Sequence, residues 1–268
     1  DFGVSIYYHL QVPDSGASNL TMEILDAEDK VLRTYSNTEK SPTKKAGRKT
    51  GLNKLVWNLR MPAVEGIPGL LVLGGTGGYH VGAGTYKARL IYNGDSLVQS
   101  FDVAFDPRTN FTNESNARLD AEKEKVYTAW GELYDAVRDM RHIKEQVQFQ
   151  IGRLDTEVEA QADLKAEGEA LIAEMDSLEA TMIQVKQKTF QDVINFPNQL
   201  DAKFGHILGT LDQSLPPMTQ GQAERVTELM AEWEAKKATI EVLLGEKIDT
   251  FNQSFRAAEL PIISRRKD

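Results

Sequence analysis

The residues with the clearest chemical potential lie in a glycine-rich stretch, Gly74-Gly75-Thr76-Gly77-Gly78, which runs directly into Tyr79 and His80. A phosphate-binding loop must lead from a strand into a helix whose amide groups hold the anion, usually with a lysine following. Here the next predicted element is a strand, so the pattern favours a flexible loop over a phosphate site. Because long connections inside compact domains are often functional, we take Tyr79 and His80 as candidate ligand-binding residues.

Other catalytic or metal-binding patterns are missing from the sequence. The chain has no cysteine, which excludes disulfides, thiol catalysis and thiolate metal sites. No Gly-x-Ser-x-Gly nucleophile elbow occurs, and the many acidic residues of the second half indicate a solvated face. The four histidines show neither an i, i+4 pair nor His-Glu-x-x-His spacing: His9, His80, His142 and His206. We therefore expect no catalytic residue, no metal and no cofactor.

Charge is distributed unevenly along the 268 residues, whose net charge is −9. Up to Thr112 there are 12 basic and 11 acidic residues, and after it 19 basic and 29 acidic ones, which gives the second half a net −10. Such a surface repels phosphate backbones and anionic lipid. No stretch approaches the ~20 apolar residues of a spanning helix. Nucleic-acid binding and membrane insertion are disfavoured.

The chain up to residue 109 has the two-residue alternation of strands separated by turns. Its central strand is predicted within residues 51–62, with Leu55, Trp57 and Leu59 on one face, and Tyr86 opens a later strand. These four side chains are predicted to fill a core. Several short strands with turns between them are typical of an immunoglobulin-like β-sandwich, which we place at 1–109.

From residue 110 the apolar period changes to about 3.5, which predicts amphipathic helices. One long helix is expected from Asn113, a second over 155–188, a shorter one around 200–211, and a last one capped by Thr219 and running to Pro261. Trp130 and Trp233 fall on the apolar seams and are predicted to be core residues. Short connections place neighbouring helices antiparallel, so 110–268 is predicted to be a bundle of three long helices and one shorter helix. The overall class is α+β with two domains.

Several segments resemble known bacterial proteins. The stretch from Gly51 to Pro62, followed by Gly84-Thr85-Tyr86, is similar to the region after the propeller in large sortilin-like or BNR-repeat glycosyl hydrolase family proteins. The first half also resembles the immunoglobulin-like module of flagellar hook-capping proteins. Further matching segments lie in the second half: Phe196-Pro197-Asn198-Gln199-Leu200, Pro216-Pro217-Met218-Thr219, and Asn252 shortly before Leu260-Pro261.

This resemblance implies a secreted or periplasmic protein whose Asp-box propeller would carry any hydrolytic site. The present chain contains no Ser-x-Asp-x-Gly-x-Thr-Trp box, so no such activity transfers to its residues. It also has Ala83 where the family has a proline before the Gly-Thr-Tyr turn. Since the chain begins with Asp1 rather than methionine, we expect it to be a mature or excised piece of a longer protein.

Three functional hypotheses follow. The first is a non-catalytic C-terminal module that supports an upstream propeller or docks another protein. The second is carbohydrate binding through Tyr79, His80 and the glycine-rich loop 62–84, since aromatic rings can stack on sugars. The third is homodimer formation through the long helices, whose seams could continue between chains.

Overall fold

A computed structural model describes residues 2–11, 19–72, 74–109 and 111–258. The chain divides into two compact units. The first comprises Asp1–Ala63, Gly77–Lys123 and Asp212–Met218, and the second comprises Val64–Thr76, Glu124–Leu211 and Thr219–Asp268. The predicted helix end at Pro261 lies outside the described residues, as does the segment Pro13-Asp14-Ser15-Gly16, whose composition predicts a turn.

In the described residues the first unit contains six strands in two antiparallel sheets, which confirms the β part of the predicted α+β class. β1 pairs with β4, and the second sheet has the order β3-β2-β5-β6. All the pairings between these six strands are antiparallel. The strand bounds are β1 Val4–Leu10, β2 Leu20–Leu25, β3 Val31–Ser36, β4 Gly51–Trp57, β5 Gly84–Tyr92 and β6 Asp95–Val103.

Both sheets contribute to one hydrophobic cluster, because alternate residues of each strand point to the same side. Trp57 is 0% exposed, and its ring meets Tyr86 and Phe101 edge-on with centroids 5.2 and 6.2 Å apart. Leu55 and Tyr86 are also buried. Leu59 differs from the prediction: β4 ends at Trp57, and Leu59 has φ +60°, so it packs against the cluster from the following turn and is only partly buried.

Asn93 and Gly94, a dipeptide typical of two-residue hairpin turns, form the tight turn between β5 and β6. Both have positive φ, +53° and +93°, which is the conformation that a two-residue hairpin turn requires. The ladder that follows is continuous over nine pairs, from Tyr92 opposite Asp95 to Gly84 opposite Val103.

The remaining regular structure is helical. Among the described residues no helix combines the length and the apolar character needed to cross a bilayer. Thr219 caps α4 in a reciprocal capping box with Gln222, as predicted. The helices are α1 Asn113–Ile151, α2 Glu159–Met182, α3 Leu200–Asp212 and α4 Gln220–Glu241, which continues through a π-helical turn, Val242–Lys247, into α5 Ile248–Ala257.

The predicted second helix, 155–188, is too long at both ends. Val185 falls on the apolar seam of a helix over 155–188, but α2 ends at Met182 and Val185 is 48% exposed. The helix stops because Ile183 adopts an extended conformation, φ −133° and ψ 153°, while its side chain stays buried. A short 3-10 helix with its own capping box, Phe190–Ile194, follows.

The core of the second unit follows the predicted seams. Trp130 and Trp233 are each 1% exposed. Gly168 of α2 lies so close to α1 that a Cβ there would stand 2.4 Å from a methyl group of Ile151. The seam residues of α1 in this unit are buried as well: Val126, Leu133, Val137, Met140, Val147 and Ile151.

Candidate functional site

Tyr79 and His80 lie where the glycine-rich loop returns to the first unit. The peptide N–H of Met61 donates to the Tyr79 carbonyl at 2.9 Å, and that of Val81 donates to the Leu59 carbonyl at 2.8 Å. Gly78 fits between these segments, since a Cβ there would stand 2.3 Å from the carbonyl oxygens of Met61 and Pro62. The end of the loop is therefore fixed by backbone pairing. Tyr79 is only 6% exposed, so it has no open ring face for a ligand.

His80 is held by two residues that no sequence pattern associates with it. Asp212 accepts hydrogen bonds from the His80 peptide N–H at 2.6 Å and from its Nδ1 at 3.0 Å. Arg60 donates from Nε to His80 Nε2 at 3.0 Å and from a terminal nitrogen to Asp212 at 3.1 Å. Its other terminal nitrogen donates to the Gly78 carbonyl at 2.6 Å.

These contacts determine the tautomer of the imidazole. A guanidinium can only donate, so Nε2 of His80 must be an acceptor and the proton must reside on Nδ1, from which it is donated to Asp212. Both ring nitrogens are then engaged. The Asp212 side chain is 8% exposed, against 34% for His80 and 38% for Arg60. The arrangement shares its His–Asp pair with catalytic triads, but no ring nitrogen is left to accept a substrate proton.

The same cluster continues into the first turns of α1. Lys123 Nζ donates to the His80 carbonyl at 3.2 Å and to Asp120 at 3.2 Å, and Asn116 donates to Asp120 at 3.1 Å. Burial raises the pKa of Asp120, and the ammonium of Lys123 opposes that effect. Gly82 is needed here, since a Cβ would lie 2.0 Å from an Asp120 oxygen. These residues form a polar clamp, which we call the His80 clamp, that orders the end of the loop.

A second candidate lies in the second unit, as a groove of about 520 Å³ between α1 and α4. Its apolar floor is formed by Ile143, Trp233, Ile240 and Leu244, all buried by the fold. The remaining lining residues form the rim: Glu132, Asp135, Ala136, Asp139, His142, Lys237 and Glu241. We call this surface the α1–α4 groove.

The rim of the α1–α4 groove is acidic. Glu132 accepts from the Trp233 indole N–H at 3.1 Å and from Lys237 at 3.2 Å, and the second bond raises the pKa of Lys237. The rim lysine is thus already paired. Asp135 bonds Arg138 at 2.7 Å and is 71% exposed. Four carboxylates therefore face one lysine and one histidine around an apolar floor.

The second unit, which is helical, also buries a carboxyl group outside the lining of the α1–α4 groove. Asp201, at the start of α3, is 3% exposed and accepts a hydrogen bond from the Tyr134 hydroxyl at 3.3 Å. Burial raises the pKa of Asp201 to about 6, although the amide N–H of Ala202 and the Tyr134 hydroxyl act in the opposite direction. Burial also raises the pKa of Tyr134.

Within residues 2–258, in the parts that the structure describes, no three His, Asp or Glu side chains are placed to hold a metal ion. No family model matches the chain, and neither a curated protein nor a solved structure shows significant similarity to it.

Proposed function

We propose that this chain is a non-catalytic interaction module that docks a basic, amphipathic helix of a partner protein in the α1–α4 groove. The observation that carries the proposal is the acidic rim that two helices contribute to the groove, since its apolar floor is largely covered in the single chain, with Trp233 1% and Ile240 8% exposed. An amphipathic helix binds such a groove with apolar anchors at i, i+3, i+4 and i+7. Lysines and arginines flanking those anchors would complement the rim.

The proposal extends to the architecture and setting of the chain. The first unit would be an immunoglobulin-like β-sandwich and the second an antiparallel bundle, joined to an upstream propeller in a secreted or periplasmic protein. Two sheets sharing one hydrophobic cluster support the sandwich, and the buried apolar seams of the helices support the bundle. The propeller and the export rest on the sequence resemblance described above.

His80 supports a non-catalytic role. An imidazole that receives a hydrogen bond from Arg60 and donates one to Asp212 is positioned to stabilise the loop rather than to transfer protons. The carbohydrate-binding alternative has less support, because a sugar needs an exposed ring face and Tyr79 is buried.

The test is a titration of the full chain with two synthetic helical peptides, one built from leucine and lysine and the other from leucine and glutamate. We expect binding of the basic peptide, no binding of the acidic peptide, and weakening on the order of tenfold by Asp139→Lys at the rim. Asp163→Lys, at another exposed position on α2 outside the groove lining, is the matched control.

Equal effects of the two substitutions on peptide affinity would show that net charge alone drives binding, and would refute docking in the α1–α4 groove. An assay of the same preparation on glycosidic and peptide substrates tests the non-catalytic part. Turnover that persists through repurification would contradict it.

A further inference from the structure

The outer edge of β6 is the feature that neither the His80 clamp nor the α1–α4 groove uses. β6 pairs only with β5, so within the described residues one row of its backbone N–H and C=O groups has no partner strand. Its first six residues, 95–100, are all exposed, and Leu97 and Val98 are exposed by 74% and 55%. A long edge strand with exposed apolar side chains is a template for strand addition.

Natural edge strands are usually protected, and β6 lacks several common devices, its charged residues being confined to Asp95 and Asp102 near its two ends. It contains no proline and no lysine, and its nine-residue ladder with β5 has no bulge. The opposite edge of the same sheet is different. The β2–β3 ladder shifts register at Ile24/Leu25, and Ser36 at the end of β3 bridges to Lys45. An unprotected edge in an otherwise protected sheet points to an interface.

The sequence of β6 is complementary to itself in the antiparallel direction. If two copies meet with Gln99 on the two-fold axis, all nine residues of each strand overlap. Leu97 then lies opposite Phe101 of the second copy, and Asp95 lies opposite Val103. Aspartates never face each other in this register, because Asp102 meets Ser96. In this register even-numbered residues face even-numbered residues and odd-numbered residues face odd-numbered ones. The backbone N–H and C=O groups that point away from β5 in one copy therefore face the same groups of the other copy.

This pairing would bury additional apolar surface mainly on the core-facing side of β6. Leu97, Gln99, Phe101 and Val103 alternate on the side of β6 that faces the core, where Phe101 stacks on Tyr86 at 6.1 Å. Leu97 lies on the same face, but in the single chain it is not packed against other side chains as Phe101 is, since it is 74% exposed. The Phe101 ring of a second copy would supply such packing, and apolar cross-strand pairs stabilise sheets.

We propose that two copies of this chain associate through antiparallel β6 strands centred on Gln99, which joins their four-stranded sheets into one continuous sheet. A single strand pair buries little surface, so the dimer is weak and forms at micromolar or higher concentration. This interface is separate from the α1–α4 groove and does not depend on it.

The first test is sedimentation equilibrium of the full chain from low to high micromolar concentration. We expect a reversible monomer–dimer equilibrium, weakened on the order of tenfold or more by Leu97→Lys, because each dimer loses two equivalent apolar pairs. Leu52→Lys is the matched control, since Leu52 is 61% exposed on β4 of the other sheet. It should leave the equilibrium unchanged. A strict monomer, or a dimer that Leu97→Lys leaves intact, would overturn the proposal.

The absence of cysteine from the sequence allows a direct test of register. Residues facing each other across an antiparallel pair have Cα atoms ~4.5–5.5 Å apart, within disulfide range. In a series of single substitutions, Gln99→Cys should give the fastest disulfide-linked dimer under mild oxidation, with Val98→Cys and Ser100→Cys slower and Leu52→Cys at background. A maximum at another position, or Gln99→Cys no faster than Leu52→Cys, would refute the pairing.

Discussion

Replacing Asp201 with asparagine should change how the stability of the helical unit depends on pH. Asp201 is 3% exposed, and its folded pKa of about 6 exceeds the ordinary value of 3.8 because burial penalises the charged form. The folded state therefore binds this proton more tightly than the unfolded state does. Stability from this group is fully present below about pH 4 and is lost as the pH rises through about 6.

The size of the change in stability follows from the pKa shift of Asp201. A difference of about two pKa units, at about 1.4 kcal/mol per unit, corresponds to about 3 kcal/mol between acid and neutral pH. The asparagine side chain carries no charge at any pH. The free energy of unfolding of Asp201→Asn, relative to the natural chain, should thus rise by up to about 3 kcal/mol from about pH 4 to about pH 7. A constant offset from the new amide does not alter this difference.

Urea denaturation followed by circular dichroism across this pH range measures the effect. Asp192→Asn is the control with the opposite sign, because the amide N–H groups of Lys188 and Thr189 lower the pKa of Asp192. Stability from Asp192 is fully present above about pH 4 and is lost as the pH falls through its lowered pKa, so that substitution should cost less below about pH 4 than above it, and the control measurements extend below that value. A relative stability of Asp201→Asn that stays flat across the range would refute the reasoning from burial.

Three further sets of substitutions test the His80 clamp and the helix cap. Gly78→Ala should lower the free energy of unfolding by about 1–3 kcal/mol, because its Cβ would lie 2.3 Å from two backbone carbonyl oxygens, whereas Gly77→Ala meets open space and should be tolerated. Equal urea midpoints for the two would contradict this. Asp212→Asn should cost about 1–3 kcal/mol and should be less than additive with Arg60→Gln in a double-mutant cycle, since both break the same bonds. Strict additivity would show that the clamp is not one unit. Thr219→Ala should cost about 1 kcal/mol in thermal unfolding, and Thr219→Asp should retain most of the stability.

The strands are predictable because core residues alternate with solvated ones, and the order of turns and strands can be read locally. The prediction that Leu59 belongs to the strand is wrong for a local reason that apolar spacing does not reveal. Leu55, Trp57 and Leu59 have strand spacing, but a positive φ at Leu59 ends the strand while the side chain still reaches the core. Hydrophobic spacing records burial and not the backbone conformation that achieves it.

The same limit explains the misplaced end of α2. Val185 continues the apolar spacing of the helix yet is exposed, whereas the neighbouring Ile183 is buried from an extended backbone. Helix ends depend on tertiary packing, which spacing does not encode.

The candidate site is the least predictable part. His80 stands out in the sequence because of its glycine-rich surroundings, but its partners Arg60 and Asp212 are 20 and 132 positions away. Such pairing is set by the fold and leaves no periodic signal.

The α1–α4 groove could not be predicted from the sequence for another reason. The apolar spacing correctly predicts Trp233 as a core residue, and the acidic rim matches the ordinary pattern of a solvated helix face.

The indole N–H groups of the three tryptophans offer the most direct test of where ligands bind. Trp233 donates to Glu132 in the groove, and Trp57 donates to the Arg60 carbonyl beside the His80 clamp at 3.3 Å, while Trp130 serves as a reference. In a chain labelled with ¹⁵N-tryptophan, the basic peptide should shift the Trp233 signal and leave the Trp57 and Trp130 signals in place. A shift of Trp57 alone, or peptide binding that moves none of the three, would contradict docking in the α1–α4 groove.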